Sequence, residues 1–176
     1  MRRFFLILII VFLASCSKDA GTKPIPVEFN RGHACHVCGM IIVDFTGSKA
    51  QVHYKNKKYD SFCSTLDMFL FYLQPDRPGN IAAIYVNDMG KGLHPPSEPS
   101  PDITKRGAAG EIKSPPHSHW IDAEKAFYIY GGDIMGSMGE ALVPLSDTKD
   151  AEVYIKKHGG RIIRFNDVTM DMLKPK

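Results

Sequence analysis

The 176-residue chain is 44% apolar and 23% charged, a balance that excludes a wholly disordered protein and allows one ordinary domain or two small ones. Its formal charge is +3, and setting aside Arg2 and Arg3 leaves 20 basic against 19 acidic residues, which excludes a nucleic-acid footprint. Seven histidines and four cysteines are the chemically notable minority.

At the N-terminus, Arg2 and Arg3 precede an apolar run from Phe4 to Leu13, and Leu13-Ala14-Ser15-Cys16 closes it with small residues. A run that short is a cleavable signal rather than a membrane span. The ending looks like a bacterial lipobox, which implies cleavage after residue 15, lipidation of Cys16 and a periplasm-facing protein. The bland alternative is an ordinary secretory signal. Ser17 follows instead of Asp, which by resemblance to sorting rules favours the outer membrane over the inner. Residues 16–30, polar with Pro24 and Pro26, read as a tether between lipid and fold.

Three cysteines then remain outside the cytoplasm: Cys35, Cys38 and Cys63. An odd number in an oxidising compartment leaves at least one thiol unpaired or metal-bound. Cys35-His36-Val37-Cys38-Gly39-Met40 turns two sulfurs toward one point, with a glycine for the turn and a thioether behind it. Thiolate with thioether is the donor set that selects Cu(I). Three other readings stand beside it: a thioredoxin-like redox pair, which should follow a strand; a Cys35–Cys38 disulfide; and a zinc site, which lacks a second ligand pair at suitable spacing. His33 and His36 could complete coordination, although each is an ordinary loop histidine.

Ile41 to Phe45 and Gln51 to Tyr54 read as the two strands of a hairpin, and Lys55 to Lys58 as a second turn. Tyr59 to Cys63 leads into Ser64-Thr65-Leu66-Asp67, a capping-box variant opening an apolar helix through Leu73, which Pro75 ends. Cys63 thus sits where a helix dipole favours a thiolate, the alternative being a buried, inert thiol. Met68, Phe69, Phe71 and Tyr72 read as core. Ile81 to Val86 is a further strand, so residues 31–90 form a first β-β-α-β unit.

Residues 91–119 form a linker: the stretch from 90 to 119 carries six prolines and four glycines without a periodic apolar face. His94, His117 and His119 fall on it, a weak metal candidate. Residues 120–176 repeat the first order: strands at Ala126 to Tyr130 and Ala141 to Leu145, a helix capped at Asp147 and ended by Gly159-Gly160 after His158, a strand at Arg161 to Phe165, and a short helix at Asp167 to Leu173. Between the first two strands, Met135 and Met138 lie in a glycine-rich loop with little core to fill. The expected architecture is α+β, two small similar subdomains built on a duplicated β-β-α-β unit.

At Cys35 to Met40 the chain resembles the NosL family. Phe62-Cys63-Ser64-Thr65-Leu66-Asp67-Met68-Phe69, Tyr85-Val86-Asn87-Asp88-Met89, Trp120-Ile121-Asp122-Ala123, Ala126-Phe127-Tyr128 and Met138-Gly139 look like that family's further blocks. The family is similar in fold to the organomercurial lyase. The resemblance implies a lipoprotein associated with denitrification, a Cu(I) chaperone and not an enzyme, which supplies copper to the copper-sulfide centre of nitrous oxide reductase together with a membrane ABC-type maturation complex. Cys63 with a methionine of the Met135–Met138 loop is then the preferred inter-domain ligand pair, and Cys35, Cys38 and Met40 are the alternative site or a transfer relay. The competing classes are a thiol-dependent enzyme, either a thiol-disulfide oxidoreductase or a carbon-mercury lyase, and a structural zinc lipoprotein.

Overall fold

The computed structural model describes residues 22–92, 119–133, 135–136, 139–140 and 142–174. The signal segment, Cys16, His94, His117 and Met138 lie outside the described residues, as does nearly all of the proline-rich stretch. The fold is mixed α+β. Strands β1 (Ala50–Tyr54), β2 (Tyr59–Phe62) and β3 (Ile81–Asn87) join β4 (Trp120–Asp122) in an antiparallel sheet of order β2-β1-β3-β4, and helix α1 (Thr65–Tyr72) lies between β2 and β3 in sequence. Strands β5 (Phe127–Gly132), β8 (Val143–Leu145) and β9 (Gly159–Arg164) form a second antiparallel sheet of order β8-β5-β9, with helix α2 (Thr148–His158) between β8 and β9. Each strand-strand-helix-strand run therefore places its first strand in the middle. A two-residue hairpin, β6 (Met135–Gly136) with β7 (Gly139–Glu140), interrupts the second run. Trp120–Asp122, at the head of the expected second unit, pairs with β3 of the first sheet.

Helix α1 begins where it does because the Ser64 hydroxyl accepts the Asp67 amide at 3.0 Å, and Asp67 puts a carboxyl at the positive end of the helix. It packs between the sheets. The Phe69 ring meets Tyr128 edge-on at 5.3 Å and Phe165 at 5.0 Å, and Tyr72 meets Phe165 at 4.9 Å. Period-two alternation supplies the surfaces: Ala50, Val52, Ile84 and Val86 from the first sheet and Tyr128 and Ile163 from the second enter one shared core. The other face of the second sheet, through Ile129, Val143 and Leu145, packs on Ala151 and Tyr154 of α2. Met89 is buried in that second core, so its thioether fills space. The α2 terminus carries Gly159 at φ +74°, and at Gly160 (φ +88°) a Cβ would stand 2.8 Å from the Tyr130 carbonyl oxygen.

The outer face of the first sheet is covered by residues 23–29, part of the expected tether. The Gln51 amide accepts from the Val27 amide at 2.8 Å and donates to its carbonyl at 3.1 Å, the Tyr85 hydroxyl donates to the Pro24 carbonyl, and Lys23 pairs with Asp122.

Two local expectations are corrected. Ile41 to Phe45 is not a strand: Ile42–Asp44 is a 3-10 turn, and Ile41 makes a single bridge to Ala34. The reason is the turn before it. The Cys35 amide bonds the Met40 carbonyl at 2.8 Å with Gly39 at φ +72°, folding the chain back so that Ile41 pairs locally, and β1 takes its partners from β2 and β3 instead. The hairpin is therefore β1 with β2. The final helix is two 3-10 turns, Phe165–Asp167 and Met170–Leu173.

Candidate metal centre

The first candidate ligand group is a knuckle. The Cys35–Met40 bond closes it, the Gly39 amide donates back to the Cys35 carbonyl at 2.9 Å, and the Gly39 conformation is one that side chains resist. The His36 amide then donates to the Ser61 carbonyl at 2.8 Å and ties the knuckle to β2. Cys63 leaves β2 two residues later, immediately before the Ser64 cap, and Asp67 stands in the first turn of α1. Strand register and helix cap thus bring a loop and a helix N-terminus to one point.

At that point the ligand atoms of Cys35, Cys38, Cys63 and Asp67 all lie within 4.8 Å of one another. The Cys38 and Cys63 sulfurs are 3.6 Å apart, and a carboxylate oxygen of Asp67 lies 3.0 Å from the Cys63 sulfur and 3.6 Å from that of Cys35. All three cysteines are free thiols. Three sulfurs at about 2.3 Å from one first-row ion stand about 3.8–4.0 Å apart, so the cluster needs only small shifts to hold one. Cys35, Cys63 and Asp67 are buried, walled by Phe29 and Ile42, with Met40, Val43 and Trp120 packed around. Cys38 is half-buried beside an exposed Val37, so solvent reaches the cluster from the knuckle side.

The protons are unequally held. Cys35 is pulled down to about 4, chiefly by a hydrogen bond from the Cys63 thiol, which outweighs burial, with help from backbone amides. Cys63 is pushed far up because it donates that bond, is buried, and faces the Asp67 carboxyl. It has one proton and two acceptors, the Cys35 sulfur and the Asp67 oxygen, so one of them goes without at any moment. Burial raises both Cys38 and Asp67. Of the three sulfurs, Cys35 is the one whose surroundings favour the thiolate.

Of the expected residues, Cys35, Cys38 and Cys63 come together, joining groups that the sequence had split between two sites. Met40 packs against them and is partly buried. Met135 is described by its backbone alone, in β6. His33 is bonded to the Tyr59 hydroxyl at 3.0 Å and to Asn30, and His36 faces Asp60 at 3.2 Å, so neither imidazole is part of the cluster. His119 is half-buried and its carbonyl accepts the Asp88 amide. Sequence reasoning missed Asp67, read as a cap alone; its signal was the position four residues after Cys63, one helical turn from the thiol.

The NosL family model matches residues 26–173. The copper-binding lipoprotein NosL of Stutzerimonas stutzeri is 35% identical over 149 residues, which span 85% of this chain and 68% of that protein. The copper-binding lipoprotein NosL of Achromobacter cycloclastes is 28% identical over 166 residues, 93% of this chain and 78% of the relative. The crystal structure of the copper chaperone NosL from Shewanella denitrificans superposes with a TM-score of 0.68 at 32% identity, covering 85% of this chain and 98% of that one.

Proposed function

The chain belongs to the NosL family, and from that premise we propose that it is a lipid-anchored, periplasm-facing carrier of one Cu(I) ion and not an enzyme. The observation that carries this reading is the convergence of three free cysteine sulfurs within 4.8 Å of one another among packed apolar side chains. Three thiolates are a soft, low-coordinate set that suits Cu(I) and leaves room for an incoming ligand. Cys35, Cys38 and Cys63 are the proposed ligands, and Met40 adds a thioether beside them for the ion to visit during exchange. Cys38, the accessible member, is the sulfur an acceptor's ligand displaces first. Lipidation of Cys16 would hold the carrier at the membrane, the outer membrane by the reading of Ser17. The proposed acceptor is the maturation route of nitrous oxide reductase through its membrane ABC-type complex.

The test is anaerobic titration of the chain with Cu(I) against a colorimetric chelator, followed by mixing of the loaded chain with the apo acceptor. One tightly held copper that the acceptor removes and the chelator does not supports the carrier. Copper that the chelator strips without competition refutes it.

A second reading is favoured by one observation, the Asp67 carboxyl inside the cluster. Three sulfurs and one oxygen make a closed tetrahedral set, the coordination of structural zinc. A chain whose folded state requires Zn(II) and exchanges no copper would promote it.

A further inference from the structure

We propose that Cys38 and Cys63 form a reversible disulfide that closes the cluster to metal. Their sulfurs, carried by different elements, already touch at 3.6 Å, and a disulfide needs them at about 2.05 Å. The movement required falls on the partner nearer the surface. Cys63 is fixed between β2 and the capped α1, fully buried, whereas Cys38 stands at the half-exposed apex of the knuckle, whose bonds hold its base at Cys35, His36 and Met40. The gap that the Cys38 side has to close is about 1.5 Å between the sulfurs.

The exposure difference assigns the order of events. A disulfide oxidant, oxidised glutathione or a protein disulfide, reaches Cys38. The Cys38 sulfur, giving up its proton, attacks one oxidant sulfur, forms a mixed disulfide and releases one thiolate. The Cys63 sulfur, giving up its proton, then attacks the Cys38 sulfur and releases the second. Two protons leave, two electrons pass to the oxidant, and one Cys38–Cys63 bond remains. Cys35 cannot substitute as the reporter to solvent, since it is 3% exposed.

A sulfur bonded to sulfur no longer supplies a thiolate, so two of the three sulfurs are lost and metal and disulfide exclude one another. In an oxidising compartment this makes reduction a condition of loading, and a bound ion a protection against oxidation. The pairing rests on the thiol geometry and stands whether or not the metal is copper.

The experiment uses the full chain, reduced and metal-free, exposed to oxidised glutathione, quenched with an alkylating reagent and mapped by mass spectrometry of peptides. A Cys38–Cys63 crosslink with Cys35 alkylated is expected, and Cys35→Ser should keep the crosslink. Cys35–Cys38 or Cys35–Cys63 as the main product, or three alkylated thiols, overturns the pairing. Cu(I) loaded beforehand is expected to suppress the crosslink; unchanged crosslinking in loaded protein overturns the mutual exclusion and speaks separately against copper at these sulfurs.

Discussion

Cys63→Ser removes one of the three proposed ligand sulfurs while leaving a hydroxyl that can still donate to Asp67, which lies 3.0 Å from the native sulfur. The buried hydrogen bond survives, so the variant should fold. A structural zinc site with four ligands is worth about 10–16 kcal/mol, or roughly 2.5–4 kcal/mol per ligand. Applied to one of three sulfurs, that loss weakens Cu(I) binding by roughly 10²–10³-fold. The hydroxyl does not compensate, being a hard donor for a soft ion. The assay is anaerobic competition with a Cu(I) chelator, with thermal unfolding of both proteins to establish that the fold is intact. A folded variant that binds within about threefold of the parent, about half of a tenfold step in free energy, would falsify the assignment of Cys63 as a ligand and return the site to the knuckle alone.

Asp67→Asn keeps the Ser64 cap, which uses the backbone amide, and removes the carboxyl group from the cluster; Zn(II) affinity should fall about 10²–10³-fold, the loss of one of four ligands, while Cu(I) affinity holds, and an equal fall for both ions places the carboxylate in the copper site. The pH dependence follows from the unequal protons. Cys35, lowered to about 4, needs no proton removed at neutral pH, whereas Cys38 and Cys63, both raised, still carry theirs and must lose them when the metal binds. Binding at pH 7 should then release about two thiol protons, log K rising about two units per pH unit; release of none or three in a weakly buffered titration contradicts this. Phe69→Ala empties a fully buried ring position between α1 and the second sheet, with an expected cost of about 3–5 kcal/mol and a melting temperature lower by roughly 6–20 °C in calorimetry.

What the sequence disclosed was what local chemistry decides. The α1 cap was legible because Ser64 and Asp67 are three residues apart and their bond is made within one turn. The α2 stop was legible because Gly159 and Gly160 adopt positive φ, which other residues resist. Ile41 to Phe45 misled because β-branched composition records fitness for a strand and says nothing of whether a partner is free; the Cys35–Met40 closure used the chain locally. The pairing of Trp120–Asp122 with β3 spans the proline-rich stretch and leaves no trace in local pattern. Site membership divides the same way. The thiols themselves are visible in the sequence, but their union depends on the His36–Ser61 bond and the Ala50 to Phe62 register, both long-range, so local pattern does not place Cys63 beside the knuckle.

X-ray absorption at the copper edge of the anaerobically loaded chain counts the ligands directly. Three sulfur neighbours at about 2.3 Å, with no nitrogen shell, are expected from Cys35, Cys38 and Cys63. A shell of one or two sulfurs completed by imidazole nitrogen would contradict the three-cysteine site.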